Sequence, residues 1–340
     1  MQLDKKTQSN KTAPKNQKPP LPKGLLYGLL LALGVGVAGW GLTQLKSDPV
    51  RASDATKNLT RTASQLLPGN LRREGAAADS VAQVVTTPPR YRTYELMQGT
   101  VHVVQLAAGT PVSVAVADDL TTVEAFAQRE NAFAVLNAGF FDPNNGKTTS
   151  HLTVNDQPAG DPADNEGLTG NEDLQDYLTQ IFNRSEFRAY QCNASEVLRY
   201  DITLHNAALP NNCQIVSAVG AGPRLMPRNT STIEAFTDYE DGELIRDAIG
   251  SVLPNARSAI ALKEDESILL MMVAQRYDAP GMTLVELAEF AESLGATELL
   301  NLDGGSSSSL YYDGQTHSGK LDDYGHPILR PVKSVIVVGQ

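Results

Sequence analysis

The chain has few residues of the kinds that hold metal ions. It contains two cysteines and five histidines among 340 residues, scattered without the spacing of a zinc site. We therefore predict no metal or other cofactor, although spacing alone leaves a metal requirement open. A G-x-S-x-G motif is also lacking at residues 304–308, which argues against a serine hydrolase that uses that motif.

An excess of basic residues is lacking too. The formal net charge is −11 at pH 7, and this acidic balance argues against nucleic acid as a partner, because an acidic surface repels phosphate backbones. The hydrophobic content of 41% is normal for a packed core and excludes a disordered scaffold.

One uncharged apolar run stands out, at residues 24–42. Its 19 residues would span about 28 Å as a helix at ~1.5 Å per residue, enough to cross a bilayer. A basic tail at residues 1–23 precedes it, so the positive-inside rule predicts a single-pass anchor with a cytoplasmic N-terminus and a periplasmic or extracellular remainder. A cleaved signal peptide is the alternative, because small residues at 37–39 suit cleavage.

The two cysteines, Cys192 and Cys213, fall on the predicted translocated side, where oxidation is permitted. We predict a disulfide between them, with a contribution of about 3 kcal/mol in the chain-entropy model. Two buried free thiols are the alternative.

Composition divides the rest of the chain into a tether and a domain. Residues 43–90 are rich in Ala, Ser, Thr and Gln, contain four prolines and show little apolar periodicity, as is typical of a flexible linker. Residues 91–340 are predicted to form an α+β domain with a mixed β-sheet core and a few packed helices. Its predicted strands lie at residues 132–136, 215–221, 258–262, 268–273 and 332–338, the last of them central.

Two capping boxes predict helices. Thr283 with Glu286 precedes an apolar stripe, which predicts a helix over residues 284–294 that ends at Gly295. Thr121 with Glu124 predicts a shorter helix through about residue 128.

Two longer patterns concern pairing and surface. Residues 101–106 and 111–116 are β-rich runs joined by a short turn, which predicts a hairpin. The polar segment at residues 142–212 carries one amphipathic helix around residues 174–181, and it is either a lid over a site or surface decoration.

The most informative stretch is residues 299–310, where an apolar strand ends in Asp303. Gly304, Gly305 and a run of serines follow it. A carboxylate at a strand end beside such small residues is typical of a group presented to a ligand. A tight turn in which Asp303 caps neighbouring amides would give the same pattern.

Other apolar runs end or begin in related motifs. These are the segments at residues 137–141 (NAGFF), 220–225 (GAGPRL), 256–261 (ARSAIA), 281–284 (GMTL) and 330–332 (RPV). With the Asp303 stretch and in this order, they resemble the phosphodiester glycosidase family over roughly residues 91–340. The resemblance implies hydrolysis of a glycosyl phosphodiester, and the matching positions are Asn137, Arg257, Asp303, Gly304 and Arg330.

Three of these positions are the candidate catalytic residues. Asp303 suits the carboxylate that acts as base or nucleophile at the anomeric carbon. Arg257 suits the phosphate, because a guanidinium can donate two parallel hydrogen bonds, and Arg330 is a second candidate. Asn137 offers an amide to sugar hydroxyls. The alternatives are a satisfied turn asparagine at Asn137 and a structural ion pair at Arg257.

Small residues and Arg330 complete the predicted substrate-binding set, which is Gly139, Gly222, Gly304, Gly305, Ser306 and Arg330. The chain departs from the family pattern at Ser306, Ala138 and Ala261, where glycine is common. These departures affect the expected fit of the ligand more than the fold.

Several other polar residues are weaker candidates. Asp142 could supply a second carboxylate, although a turn-forming aspartate before proline is simpler. His151, His317 and His326 are predicted to be ordinary loop histidines.

The sequence thus predicts a membrane-anchored, extracytoplasmic hydrolase of a glycosyl phosphodiester in a glycan, lipid-linked sugar or envelope polymer. Its predicted partners are that glycan or sugar-phosphate substrate and the membrane, through residues 24–42. The alternative is a noncatalytic cell-envelope module that binds glycan with the same pocket.

Overall fold

A computed structural model describes residues 88–339, apart from residues 194 and 196. The predicted tail at residues 1–23, the anchor at 24–42 and nearly all of the tether at 43–90 lie outside the described residues, so they stay predictions. In the part of the chain that is described, no helix combines the length and the apolar character needed to cross a membrane.

The described residues form short strands and few helices. The strands of the first half are β1 (Arg90–Leu96), β2 (Gly99–Leu106), β3 (Ser113–Thr121), β4 (Ala132–Asn137), β5 (Leu152–Val154), β6 (Gln157–Gly160), β7 (Ser185–Cys192), β8 (Leu198–Leu204) and β9 (Cys213–Gly220). The remaining strands are β10 (Arg224–Met226), β11 (Thr237–Glu240), β12 (Glu243–Asp247), β13 (Arg257–Lys263), β14 (Ile268–Ala274), β15 (Ala296–Asn301), β16 (Ser309–Tyr312), β17 (Gln315–Ser318) and β18 (Val332–Gly339).

The helices are mostly a single turn long. The α-helices are α1 (Val123–Glu130), α2 (Glu166–Thr169), α3 (Leu178–Ile181) and α4 (Leu284–Ser293), and 3-10 helices lie at Pro162–Asp164, Glu172–Tyr177 and Gly305–Ser307.

The strands pair into three main sheets. A six-stranded sheet has the order β1-β2-β14-β13-β15-β10, and two five-stranded sheets have the orders β17-β16-β4-β18-β3 and β6-β5-β9-β7-β8, while β11 pairs with β12. The mostly β-sheet core with few helices agrees with the predicted α+β class. The predicted mixed sheet is wrong, because every pairing between these described strands is antiparallel.

The three sheets share one apolar core. Buried side chains from each of them meet there, among them Val104, Leu136, Phe187, Ile260 and Ile336. Helix α4 covers the opposite face of the six-stranded sheet, and α1 covers the opposite face of the sheet that contains β4 and β18. Because both faces of these two sheets are covered, their strands carry nearly continuous apolar runs.

The central strands and the longer helix were predicted closely. The five predicted strands correspond to β4, β9, β13, β14 and β18, and β18 lies inside its sheet between β4 and β3. Helix α4 begins at the predicted capping box of Thr283 and Glu286 and is followed by Gly295 with φ of +84°. Helix α1 is capped by Thr122 rather than Thr121, because the Thr122 hydroxyl accepts from Ala125 N.

The predicted hairpin is wrong. β2 pairs with β1 and β14 in the six-stranded sheet, whereas β3 pairs with β18 in another sheet. The segment at residues 142–212 also differs from expectation, because it contributes β5 to β8 to the third sheet and its helical part is split into short turns. The apolar face predicted around residues 174–181 packs in a small cluster with Leu168 and Ala235.

The predicted disulfide is confirmed. Cys192 at the end of β7 is bonded to Cys213 at the start of β9, where the two residues are register partners with Cα atoms 4.0 Å apart. The bond therefore closes the segment that contains β8.

Candidate active site

Asp303 lies where two sheets diverge. β15 ends at Asn301, and Asp303 N donates to the carbonyl oxygen of Ala138, just beyond β4 (2.8 Å). Two residues later, Gly305 N donates to the carbonyl oxygen of Ala256, just before β13 (2.8 Å). The turn at residues 303–305 leads from β15 in the six-stranded sheet towards β16 in the sheet that contains β4, is hydrogen-bonded beside strands of both sheets, and carries the Asp303 carboxylate between them.

The two glycines after Asp303 are required by this turn. Gly305 has φ of +60°, a left-handed conformation that favours glycine. A Cβ on Gly304 would lie 3.1 Å from the Ala256 carbonyl oxygen, which is a tight contact. The sequence predicts a close approach of a ligand to the backbone at these glycines. In the structure, the group that approaches Gly304 closely is the protein's own backbone at Ala256.

The Asp303 carboxyl group has a raised pKa. Burial raises its pKa to about 6, against hydrogen bonds from the Ser307 side chain and the Gly304 backbone and the charge of Arg330, which lower it. At neutral pH the group is mostly ionised yet close enough to its pKa to exchange a proton in a reaction. Ser307 was not predicted, although it lies within the same Gly-Ser stretch.

Arg330 is the cation that acts on this carboxylate. Its side chain is partly exposed, Nη1 donates to Ser306 Oγ (2.9 Å), and the guanidinium carbon lies 5.3 Å from the centroid of the Phe141 ring. Ser306 is its one hydrogen-bond partner among the described residues. The other guanidinium donors are therefore available to an anion bound beside Asp303.

Asn137 is fully buried, with 0% of its surface exposed. Its Nδ2 donates to the Asp303 carbonyl oxygen (2.5 Å), and its Oδ1 accepts from Ser258 Oγ (2.6 Å) and from Ser309 N (3.0 Å). The amide thus joins β4, β13 and β16 to the turn that carries Asp303. This arrangement matches the satisfied-asparagine alternative, and Asn137 positions Asp303 instead of facing a ligand.

Arg257 is also buried, with 2% exposure. Its Nε donates to the carbonyl oxygen of Met282 (3.0 Å), and its Nη atoms donate to the carbonyl oxygens of Ile249 (3.2 Å), Gly250 (2.6 Å) and Leu253 (2.8 Å). Burial lowers the pKa of Arg257 to about 10, so it stays charged at neutral pH. Its donors hold the 249–253 segment, and this geometry does not favour the predicted phosphate contact.

Two further glycines of the predicted binding set are needed for packing. Gly139 N donates to Ser334 Oγ (3.0 Å), and a Cβ there would lie 3.0 Å from the Gly220 carbonyl oxygen. Gly222 has φ of +117° and is covered by the side chains of Glu234 and Phe236. Both glycines shape the floor beside Asp303, but neither presents open backbone.

The weaker candidates do not join the site. Asp142 Oδ1 accepts from Asn144 N (2.8 Å), the turn geometry that was the simpler alternative. His151 stacks on His205 with ring centroids 3.6 Å apart, and His317 donates to or accepts from Tyr91 Oη (3.1 Å). In these surroundings the two histidines belong to packed clusters of the fold.

Lys320 is a cation near the site that the sequence did not indicate. Its Nζ lies 3.4 Å from Asn255 Oδ1, and the Asn255 side chain packs beside Gly305. Arg330 therefore contacts this turn at Ser306, and Lys320 approaches it through Asn255. Within the described residues, no group of three or more His, Cys, Asp or Glu side chains is arranged to hold a metal ion.

The structure thus brings a carboxylate, Asp303, and a partly exposed cation, Arg330, together at one turn of an antiparallel β fold. Residues 130–339, which are more than half of the chain, match the family described as phosphodiester glycosidase. The protein belongs to the phosphodiester glycosidase family. A comparison with curated proteins gave no match.

The solved structures to which the chain is similar are distant in sequence. The catalytic domain of zebrafish N-acetylglucosamine-1-phosphodiester alpha-N-acetylglucosaminidase, auto-inhibited by its pro-peptide, is 15% identical with a TM-score of 0.54, over 74% of this chain and 83% of that one. A hypothetical protein from Synechocystis is 16% identical with a TM-score of 0.49, over 73% of this chain but only 61% of that one. At these identities the first likeness shows the fold alone.

Proposed function

We propose that the protein hydrolyses a glycosyl phosphodiester in an extracytoplasmic glycan, lipid-linked sugar or envelope polymer. The observation that carries the proposal is Asp303 beside Arg330, on a turn where two sheets diverge. Family membership supports the reaction type. The apolar run at residues 24–42 with lysines before it supports the location.

The chemistry follows from the leaving group. In hydrolysis the bond between the anomeric carbon and the phosphate oxygen breaks, and a phosphomonoester departs with the electron pair. Because this group leaves readily, little acid assistance is needed, and Arg330 instead stabilises the phosphate charge. Asp303 acts at the anomeric carbon, either by taking a proton from the attacking water or by attacking directly.

Substitution of Asp303 tests the proposal. Asp303→Asn keeps the shape and removes the charge, so kcat/KM on a sugar phosphodiester should fall by roughly two to three orders of magnitude. Asp142→Asn is the matched control, because its turn role leaves turnover near the wild-type value. A wild-type protein that binds the glycan phosphodiester without turnover would instead be the noncatalytic module.

A further inference from the structure

Two tyrosines stand almost fully in solvent beside a groove. Tyr277 is 96% exposed and Tyr324 is 85% exposed. Tyr277 lines a groove of about 410 Å³ between the turns at residues 275–280 and 321–325, and Tyr324 lies on the second turn between the lining residues Asp323 and Gly325. Exposed aromatic rings beside a groove are a common feature of binding surfaces.

Both turns are held in place by hydrogen bonds. Gln275 Nε2 donates to the Pro280 carbonyl oxygen (2.7 Å), and Gln275 Oε1 accepts from Leu321 N (3.2 Å), so one side chain joins the two turns. Asp322 Oδ1 accepts from Tyr324 N (2.9 Å) and fixes the second turn. The rings are therefore presented on an ordered frame, which reduces the entropy lost on binding.

The polar lining of the groove is acidic. Asp278, Asp322 and Asp323 line it, with Arg276 Nε 3.3 Å from Asp278 Oδ1. Carboxylates accept hydrogen bonds from hydroxyl groups and repel anions, while tyrosine rings cover apolar C–H faces. This combination fits an uncharged sugar chain and disfavours an anionic polymer.

The groove lies near the turn that follows Asp303. Lys320 immediately precedes its second turn and contacts Asn255, and a Cβ on Gly305 would lie 3.5 Å from Asn255 Nδ2. Lys320 therefore links the second turn of the groove to the turn that follows Asp303.

We propose that this groove binds uncharged sugar residues of a glycan chain, away from the scissile phosphodiester, and selects chains over small sugar phosphates. The inference rests on the proposed function only in taking the bound chain to be part of the substrate. Tyr277 and Tyr324 are the residues that determine this selectivity.

Binding to an inactive variant tests the groove without turnover. Cellotetraose, maltotetraose and tetra-N-acetylchitotetraose are titrated into the full-length Asp303→Asn protein by calorimetry or saturation-transfer NMR. At least one of them should bind. Its affinity should fall at least about tenfold in the double variant Tyr277→Ala with Tyr324→Ala, because two stacking contacts are lost. The corresponding Phe variants should keep the affinity, and Tyr239→Ala, an exposed tyrosine on the β11–β12 hairpin, is the matched control.

The result overturns the proposal if none of the three tetrasaccharides binds, or if the alanine variants bind as well as their parent. Preferential binding of a basic peptide such as tetralysine, with the same tyrosine dependence, would also overturn it. Kinetics then separate the two proposals. If glycosyl phosphodiesters with one and with four neutral sugars are both left uncleaved, the proposed function fails. The binding result still decides whether the groove binds uncharged sugar chains.

Discussion

Two arginines beside the Asp303 turn occupy opposite surroundings. Arg257 is buried and donates to four backbone carbonyl oxygens, whereas Arg330 is partly exposed and donates to one serine hydroxyl among the described residues. In the sequence both belong to family motifs at strand boundaries. The difference shows that a cation supports a scaffold when the backbone uses its donors, and can bind a ligand when donors remain free beside an acid.

The largest expected effect tests whether Arg257 has a structural role. Arg257→Lys keeps the charge but cannot reach all four carbonyl oxygens, and each buried unpaired carbonyl costs about 1–3 kcal/mol. The free energy of unfolding should therefore fall by about 4 kcal/mol in chemical denaturation. Arg276→Lys is the control, because this partly exposed arginine makes surface ion pairs worth less than about 1 kcal/mol. If Arg257→Lys left stability intact and lost phosphodiester turnover alone, the two arginines would have to exchange roles.

The second effect tests the ligand side. Arg330→Met removes the phosphate contact, so kcat/KM on a sugar phosphodiester should fall about 100-fold, or ~3 kcal/mol, while an aryl glycoside of the same sugar is much less affected. The charge of Arg330 lowers the pKa of Asp303, so its loss should also move the acid limb of the pH–rate profile to higher pH. Equal losses on both substrates would contradict a phosphate role for Arg330.

The sequence predicted local features better than long-range ones. The capping box of Thr283 and the strand end at Asp303 depend on adjacent residues, and both occur as predicted. The partners of β2 and β3 depend on distant strands, so a short connecting turn suggested a hairpin that does not exist. β7 and β8 were missed because their strands carry many polar residues.

The same limit applies to the site. Motif position indicated that Asn137 and Arg257 matter, but their roles depend on which atoms surround them. Three of the four carbonyl partners of Arg257 come from residues 249–253, a segment without a sequence signature, and the fourth belongs to Met282 in the motif at residues 281–284. Lys320 comes near the turn after Asp303 only through the packing of turns, so it was not predicted. Ser307 lies within the Gly-Ser stretch, but the run of serines does not show which hydroxyl reaches the carboxylate.

The third effect concerns the folding stability that is lost by burying the ionised Asp303 carboxylate. The charge of Arg330 offsets this loss only in part. Burial raises the pKa of Asp303 from 3.8 to about 6, so the folded state binds more protons than the unfolded state between these values, and stability falls as pH rises through them. Asp303→Asn should therefore be more stable than the wild type by about 3 kcal/mol at pH 7.5. The gain should shrink to about 0.5 kcal/mol at pH 4, as measured by denaturation at both pH values. If the difference in free energy of unfolding between the two proteins were the same at both pH values, burial would not raise the pKa of Asp303.

The smallest effect concerns the aromatic ring that supports Arg330. The guanidinium lies over the Phe141 ring, and a partly exposed cation–π contact is worth about 0.5–1 kcal/mol. Phe141→Leu keeps an apolar side chain but removes the ring face, so Arg330 should be held less firmly and KM for the phosphodiester should rise about threefold. KM for the neutral aryl glycoside should stay within error, because that substrate has no phosphate for Arg330 to bind. In Arg330→Met the Phe141→Leu change should have no additional effect on the phosphodiester, and an additive loss would show that Phe141 acts on the substrate directly.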